Sequence, residues 1–382
     1  MGGNGTQQYR QSTIDSLIYC RFSSDQSVVS THTRTALVSL LAIALLGWFL
    51  SHANLVEVWH HVQRADLRML LVGFVFVVLT YVARTFRWQA LLIPLGRVRF
   101  STTLRATIVG FAALGLLPAR AGDLLRPYMV ARKEGLSVPA TFATVVMERV
   151  LDLVAVLGLL AVYAWGFASP EDVPDTLRRP IELSAAVGGL AAIVLFVVMW
   201  VLATHPERIG RFVRAADRVL PHAIAHKLAD VATAFSRGFI AAKNPVTLLV
   251  GVLWSFPVWI CIAGETWAVT RAFDIDMSFA GSFLLQVFLV IGVAVPTPGG
   301  VGSYHEAYRW AVTTFFHAAN DSAVAAAIVV HLISYLPVIL AGLVLMVQEG
   351  MSVHQLQELA GEARDKEMPQ ADEVPLLRSS RR

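Results

Sequence analysis

Two proline- and glycine-rich motifs interrupt apolar segments at matching positions of a faint internal repeat. The first motif contains Pro118 and the second contains Pro296, 178 residues further along the chain. The same offset superposes the tetrapeptide LLVG at 70–73 on an identical tetrapeptide at 248–251. Broken apolar segments at corresponding positions of two halves indicate a membrane protein built from two repeats, with a binding site at the breaks.

The composition is typical of a protein that lies in a lipid bilayer. Of the 382 residues, 56% are hydrophobic and 15% are charged, and the mean hydropathy is +0.60, whereas a soluble protein carries about 25% charged residues. The net charge of +4 does not imply a nucleic-acid partner, because the basic residues cluster between apolar runs as the positive-inside rule predicts. The two cysteines, Cys20 and Cys261, indicate neither a disulfide framework nor a metal site, and no cofactor is expected.

Hydropathy predicts an all-α polytopic membrane protein with about six full spans. About twenty apolar residues cross a bilayer as a helix, and the segments of that length are 35–55, 67–92, 138–166, 181–204, 245–271 and 321–348. Two shorter apolar segments, 101–117 and 279–296, run directly into the motifs and are predicted to form broken re-entrant hairpins. A cleaved signal peptide is the alternative for the first segment, and an uncleaved helix is favoured because more spans follow.

The transmembrane domain is predicted at 35–348, between a polar cytoplasmic leader at 1–34 and a polar, partly disordered tail at 349–382. Residues 206–244 differ from the other inter-span segments, because their arginines recur at helical spacing among apolar residues. That pattern predicts an amphipathic helix on the membrane surface.

The distribution of charge decides between two orientations. If 101–117 crosses the membrane completely with the N-terminus inside, the basic segment 206–243 lies outside, against the positive-inside rule. If 101–117 enters from the cytoplasm and returns, the basic segments face the cytoplasm and the acidic loop 171–175 faces out. The second arrangement is favoured. It places both termini in the cytoplasm and predicts an inverted repeat of span, hairpin and span at 67–166 and 245–348.

The breaks have a physical consequence for binding. Irregular backbone persists at membrane depth only where protein or a watery cavity shields it. Helices that restart after a break direct free N–H groups and a positive dipole end inward, which suits a phosphate or a carboxylate. Ordinary turns at the membrane interface are the alternative. The candidate positions of the second break, where glycine permits left-handed backbone, are Pro298, Gly299, Gly300 and Gly302.

Ionisable residues inside the segment 138–166 are a second group of candidates. Glu148 and Asp152 share a helix face because they are four residues apart, and Arg149 lies beside that face. Charges at this depth are costly and face a partner or a wet cavity. An ion-pair network that only holds helices together is the alternative.

Arg84 and Arg87 lie about one turn apart in the segment 67–92 and are predicted to face the same interior. Glu265 occupies the repeat position of Arg87 in the second half. The alternative for the two arginines is that their side chains snorkel to the cytoplasmic interface.

Four motifs together resemble the flippase-like family, also known as the lysylphosphatidylglycerol synthase transmembrane region. They are R-x-x-R-W from Arg84, L-P-A-R-x-G-D-x-x-R from Leu117, E-R-x-x-D from Glu148, and P-x-P-G-G-x-G from Pro296 with Glu306 behind it. The resemblance covers about 35–348 and implies an integral membrane protein that binds lipids and moves them between leaflets. In the synthases a soluble aminoacyl-transfer domain follows, whereas 34 residues follow here, so lysinylation by this chain itself is not expected. Asp123 stands where many relatives have Glu.

The leading hypothesis is a lipid translocase or lipid-binding transporter of the cytoplasmic membrane, without ATP drive because no P-loop is present. Arginines are predicted to pair with an anionic headgroup; the carboxylates would bind a cationic group, balance the arginines or carry a proton. The expected partners are membrane lipids and separately encoded lipid-modifying enzymes. The predicted substrate-binding residues are Arg84, Arg87, Arg120, Asp123, Arg126, Glu148, Arg149, Asp152, Glu265, Pro298, Gly299, Gly300, Gly302, His305 and Glu306.

Two other hypotheses stay open. A membrane glycosyltransferase acting on a polyprenyl-linked sugar is suggested by the D-x-D pattern of Asp274 and Asp276, although the predicted orientation places it away from cytoplasmic nucleotide sugars. An accessory subunit of an envelope-lipid pathway is the other hypothesis, and such a subunit would tolerate substitution of the intramembrane charges.

Overall fold

The computed structural model describes residues 39–116, 121–167, 175–204, 245–295 and 297–348. Three sequence predictions lie outside these residues: the first break with Pro118 and Arg120, the amphipathic segment 206–244, and the two polar ends. All regular structure in the described residues is helical, which confirms the predicted all-α class. The helices are α1 (Ser39–Ser51), α2 (Leu55–Arg64), α3 (Leu67–Leu92), α4 (Phe100–Leu116), α5 (Ala121–Glu134), α6 (Val138–Val162), α7 (Asp175–Thr204), α8 (Pro245–Ala272), α9 (Gly281–Ala294), α10 (Ser303–Phe315) and α11 (Asn320–Gln348).

Three helices, α3, α8 and α11, are each long and apolar enough to cross a membrane, and each coincides with a predicted span. The predicted span 35–55 differs in form. Its helix α1 ends at Ser51, and α2 continues after a bend of 82°. The bend occurs where the Asn54 side chain accepts a hydrogen bond from the Val56 N–H at 3.1 Å and so begins a new helix.

The remaining predicted segments are also helical. The segment 138–166 is α6 followed by a π-helical turn at Tyr163–Phe167, and the segment 181–204 lies within α7. The two shorter segments correspond to α4 and α9. Large apolar side chains are exposed on the long helices, for example Leu71 and Val75 on α3 and Leu340 on α11, as expected for a surface that faces lipid.

The helix boundaries repeat at the offset seen in the sequence. Helices α8, α9, α10 and α11 begin zero, three, four and four residues after the positions that the 178-residue offset gives from α3, α4, α5 and α6. The two sets also pack reciprocally, since α4 contacts α11 and α9 contacts α6. Each half therefore consists of four helices in the same order, and the halves interlock.

Helices α3 and α8 form the central contact between the halves, and they are antiparallel. Contact positions rise along α3 as they fall along α8: Gly73 lies against Val269, and Leu91 lies against Gly251. A hydrogen bond of 2.9 Å from the Asp66 N–H to the Ala272 carbonyl joins the start of α3 to the end of α8. The 178-residue offset converts the first of these glycine contacts into the second.

The second break has the backbone that its glycines predict. A 3-10 turn covers Pro298–Gly300, and Gly299, Gly300 and Gly302 have φ angles of 59°, 73° and 86°. Residues other than glycine rarely adopt these backbone angles. Helix α1 packs directly on this turn, because a Cβ atom on Gly302 would lie 2.6 Å from the Cβ of Leu45.

We predict that Gly73→Leu lowers the free energy of unfolding by about 1–3 kcal/mol, because overpacking forces the α3–α8 contact apart. Even the Cβ of a residue at this position would lie 2.8 Å from the Val269 side chain. The matched control is Gly158→Leu on α6, where a Cβ meets no atom within 4 Å. The measurement is unfolding of the purified protein in detergent, and equal stability of the two variants would contradict this account of the interface.

Candidate functional site

A network of buried charges connects α3, α5, α6 and α8. At its centre is Arg87, whose side chain is 1% exposed. Its Nη1 donates to Asp152 Oδ1 at 2.6 Å and to Ser255 Oγ at 3.2 Å, and its Nη2 lies 3.4 Å from Glu148 Oε1. Arg87 thus contacts both carboxylates of α6, whose shared face the spacing predicts, and does not snorkel to an interface.

Arg126 brings α5 into the network. Its guanidinium donates to Glu148, the same carboxylate that Arg87 contacts. The guanidinium also lies 4.3 Å from the centroid of the Trp88 ring, a distance typical of a cation–π contact. The Trp88 ring is fixed in turn, because its Nε1 donates to Thr144 Oγ1 at 2.9 Å. Glu148, with a side chain 2% exposed, therefore has an arginine from each of two helices.

The network becomes more accessible toward Arg149. This side chain donates to Asp123, and its Nη1 lies 3.8 Å from Asp152 Oδ2. The side chains of Arg149 and Asp123 are 40% and 21% exposed. The charged groups thus extend from a fully buried centre to a surface on the apolar helix α6.

Among the described residues, the positive and negative charges of this network are equal in number. Three arginines, Arg87, Arg126 and Arg149, face three carboxylates, Asp123, Glu148 and Asp152. Asp152 also accepts a hydrogen bond of 2.9 Å from Trp259 Nε1 on α8. Balanced pairing is what buried charges require, since an unpaired ion in apolar surroundings is costly.

Arg84 lies beside this network without joining it. In the described part of the chain it forms no ion pair; its guanidinium instead lies 4.6 Å from the centroid of the Phe111 ring on α4. The Arg126 guanidinium lies 5.7 Å from the same ring. Two cations therefore approach one aromatic side chain, and Arg84 pairs with no carboxylate of the described residues.

Two predicted residues of the second half, Glu265 and His305, are separate from this charged network. Glu265 is buried and accepts a hydrogen bond from Ser334 of α11. His305 is buried in α10, beneath Phe49 of α1 at a ring distance of 5.2 Å. These two residues therefore make a hydrogen bond and an aromatic contact instead of ion pairs.

Glu306 lies in a different place from the other predicted carboxylates. It pairs with Arg309 one turn later, with 2.8 Å between Arg309 Nε and Glu306 Oε2. Arg309 also donates to Asn320 at 3.0 Å, and Asn320 donates to the His52 carbonyl at 2.7 Å near the α1–α2 bend. The structure thus gives Glu306 a role in joining α10, α11 and α1.

Sequence reasoning did not identify three side chains that complete the network: Phe111, Ser255 and Trp259. Ser255 and Trp259 lie four residues apart on α8, so their shared face was readable from spacing. Tryptophan counts as apolar in a hydropathy profile, although a buried indole N–H needs an acceptor. Among the described residues, no group of three histidine, cysteine or acidic side chains is placed to hold a metal ion.

The fold and the buried ion pairs define a multi-helix membrane protein with a polar interior. A family model, the lysylphosphatidylglycerol synthase TM region, matches residues 36–342. The chain belongs to this family, as its four motifs predict.

Three curated proteins are similar to this chain. The glycosyltransferase AglD of Haloferax volcanii is 25% identical over an alignment of 365 positions that covers 88% of this chain and 57% of AglD. A UPF0104 membrane protein of Methanocaldococcus jannaschii is 24% identical over 60% of this chain and 91% of its own length. A UPF0104 membrane protein of Methanothermobacter thermautotrophicus is 25% identical over 65% of this chain and 75% of its own length.

We predict that Glu148→Gln lowers the free energy of unfolding by about 3–5 kcal/mol, because the change leaves buried arginines without their shared carboxylate. The matched control is Glu306→Gln, which removes a carboxylate from a more exposed pair and is expected to cost about 1 kcal/mol or less. Chemical unfolding of the two variants in detergent compares these values. Equal losses would mean that the Glu148 contacts add nothing beyond an ordinary surface pair.

Proposed function

We propose that this protein binds the charged headgroup of a membrane lipid inside its helix bundle and moves the lipid across the cytoplasmic membrane. The main support for the proposal is the polar network on apolar helices, which is buried at Arg87 and exposed at Arg149. Beside it lies Arg84, which pairs with no carboxylate of the described residues. A polar path from an apolar surface into a bundle suits a molecule with a charged head and apolar tails. Membership of a family named for a lipid synthase's membrane region supports a lipid ligand.

The arginines favour a phosphate group as the part of the lipid that is recognised. A guanidinium binds a phosphate through two parallel hydrogen bonds. Arg84 is available for such a bond because its contact in the described structure is an aromatic ring. Arg126 approaches the same ring from α5, so the two cations would contact one headgroup near Phe111. The Arg149–Asp123 pair lies at the accessible end and would meet the headgroup first.

The arrangement of the two halves suits alternating access. The antiparallel contact of α3 with α8, and the exchange of the Gly73 and Gly251 contacts by the repeat offset, support an inverted-topology repeat. In such a repeat the two hairpins, α4–α5 and α9–α10, enter from opposite faces of the membrane. Rocking of one half against the other would then expose the network to each leaflet in turn.

The first test needs no energy source, because a lipid can equilibrate between leaflets down its own gradient. We predict that Arg84→Gln reduces movement of fluorescently labelled phosphatidylglycerol in proteoliposomes about tenfold or more, since a charge-assisted hydrogen bond contributes about 1.5–3 kcal/mol. Arg149→Ala is expected to abolish the headgroup-dependent part of the rate. The readout is dithionite quenching of the label in the outer leaflet.

The matched control for these arginines is Arg271→Gln. Arg271 pairs with the exposed Asp276 at the end of α8, away from the network. The Arg271→Gln variant should move labelled lipid at the wild-type rate. Wild-type rates in both Arg84→Gln and Arg149→Ala would reject the headgroup site and favour the accessory-subunit hypothesis.

A glycosyltransferase is the second candidate, and the similarity to AglD over 88% of this chain favours it. The chain spans 57% of the length of AglD. The D-x-D carboxylates follow α8, and Asp276 is nearly fully exposed and paired with Arg271. Arg271 lies twelve residues beyond Trp259 on one helix, about 18 Å from the charged network.

That distance separates the two candidates experimentally. We predict that Asp274→Ala leaves movement of labelled phosphatidylglycerol unchanged, because Asp274 lies far from the arginines along α8. A glycosyltransferase that uses Asp274 would instead lose incorporation of a radiolabelled sugar into membrane lipid. Sugar incorporation by the wild type that Asp274→Ala abolishes would establish the second candidate.

A further inference from the structure

Two buried histidines stack on one another in the second half. His305 of α10 and His331 of α11 have ring centroids 4.6 Å apart and planes within 7° of parallel. Tyr335 stacks on the other side of His331 at 4.5 Å, and Tyr304 meets the edge of His331 at 5.0 Å. The two histidines are 7% and 8% exposed. They lie at the interface of the re-entrant hairpin with the last helix, where the two elements would separate during transport.

The hydrogen bonds of the two imidazoles differ. The Gly302 N–H donates to His305 Nδ1 at 3.3 Å, which assigns the ring proton of neutral His305 to Nε2. His331 Nδ1 is buried and has no hydrogen-bond partner in the described structure. A buried nitrogen without a partner is uncommon and needs a physical explanation, of which a role in binding a ligand is one. For an imidazole nitrogen, the smallest such ligand is a proton.

Among the described residues, no charged side chain is in direct contact with either ring. Helix α1 contributes Phe49, and α10 contributes Tyr304 and Tyr308, whose hydroxyl is bonded to Thr270 of α8 at 2.6 Å. Glu265 of α8 is bonded to Ser334 of α11, and Tyr81 and Arg84 of α3 lie within electrostatic range of Glu265. Because no carboxylate of the described residues lies against either imidazole, the buried pair is expected to be neutral in this conformation.

We propose that the His305–His331 pair is a proton-binding site that couples lipid movement to a proton gradient, an inference that rests on the proposed function. Two imidazolium ions at stacking distance repel each other strongly, so the pair takes up one proton and not two. The proton enters when α10 moves away from α1 and α11, which admits water. It is released when the cluster closes again.

The backbone next to the pair suits this movement. Gly299, Gly300 and Gly302 immediately precede α10, and their positive φ angles interrupt the regular helical backbone between α9 and α10. Helix α1 covers the segment through Leu45, and Phe49 covers His305. Opening of this contact therefore exposes the histidines and changes the angle of α10 in one step.

The first test uses the full chain in proteoliposomes with labelled phosphatidylglycerol as the probe. The rate of lipid movement by the wild type should change at least threefold when a gradient between pH 6 and pH 8 is reversed across the vesicle membrane. In His331→Gln the ratio of the two rates should fall to one. His60→Gln, a change on the exposed surface of α2, should keep the wild-type ratio. A wild-type ratio of one, or an unchanged ratio in His331→Gln, would overturn the inference and leave the transport proposal intact.

The second test does not depend on transport. Histidine labelled with ¹⁵N in the rings is incorporated into the full chain in lipid nanodiscs, and His305→Gln and His331→Gln identify the two signals by their loss. Between pH 8 and pH 4 the pair should take up one proton in total. Uptake of two protons, or of none, would refute the site. If the wild type moves no labelled lipid, the proposed function fails, and this titration still decides whether the pair binds a proton.

Discussion

The contact of Arg87 with two carboxylates of α6 constrains the rest of the bundle. In an apolar interior a guanidinium must have its charge balanced, so the Arg87–Asp152 distance of 2.6 Å fixes the rotation of α3 relative to α6. The bonds of Arg87 to Ser255 and of Trp259 to Asp152 then fix α8 as well. Because these polar contacts decide which faces turn inward, the glycine contacts of α3 with α8 follow from them. The same geometry leaves the apolar side chains of α3 on the lipid side.

Much of the helix arrangement was predictable because hydropathy and the repeat report the same elements. The predicted segment 67–92 is α3 to the residue, and the offset of 178 residues places α8 at its observed start. The α1–α2 bend was not predicted, because a hydropathy average treats Asn54 as one polar residue and misses its capping bond. The spans of α6 and α7, and with them the total number of crossings, stay predictions. Three charges inside α6 lower its mean hydropathy, although those charges are paired in the fold.

The candidate site was predictable only where spacing along one helix determined it. Glu148 and Asp152 share a face and both contact Arg87, as the spacing of four predicts. The partners from other helices needed the tertiary structure, because no local pattern links Trp259 to Asp152 across 107 residues. Glu306 shows the limit of reasoning by motif. Its motif associates it with the glycines of the second break, whereas its local spacing to Arg309 gives the ion pair that is observed.

The two halves use one backbone pattern for different chemistry, and this difference matters for directional movement. Arg87 and Glu265 occupy equivalent repeat positions, yet Arg87 lies among carboxylates, whereas Glu265 is bonded to a serine hydroxyl. A ligand shifts a conformational equilibrium only by its difference in affinity for the two states. Two chemically identical halves would offer a headgroup the same contacts in either orientation, and the equilibrium would not shift. The buried charges centred on α6 and the stacked histidines of α10 and α11 remove that symmetry, so in the proposed transport a charged headgroup would have different free energies in the two arrangements.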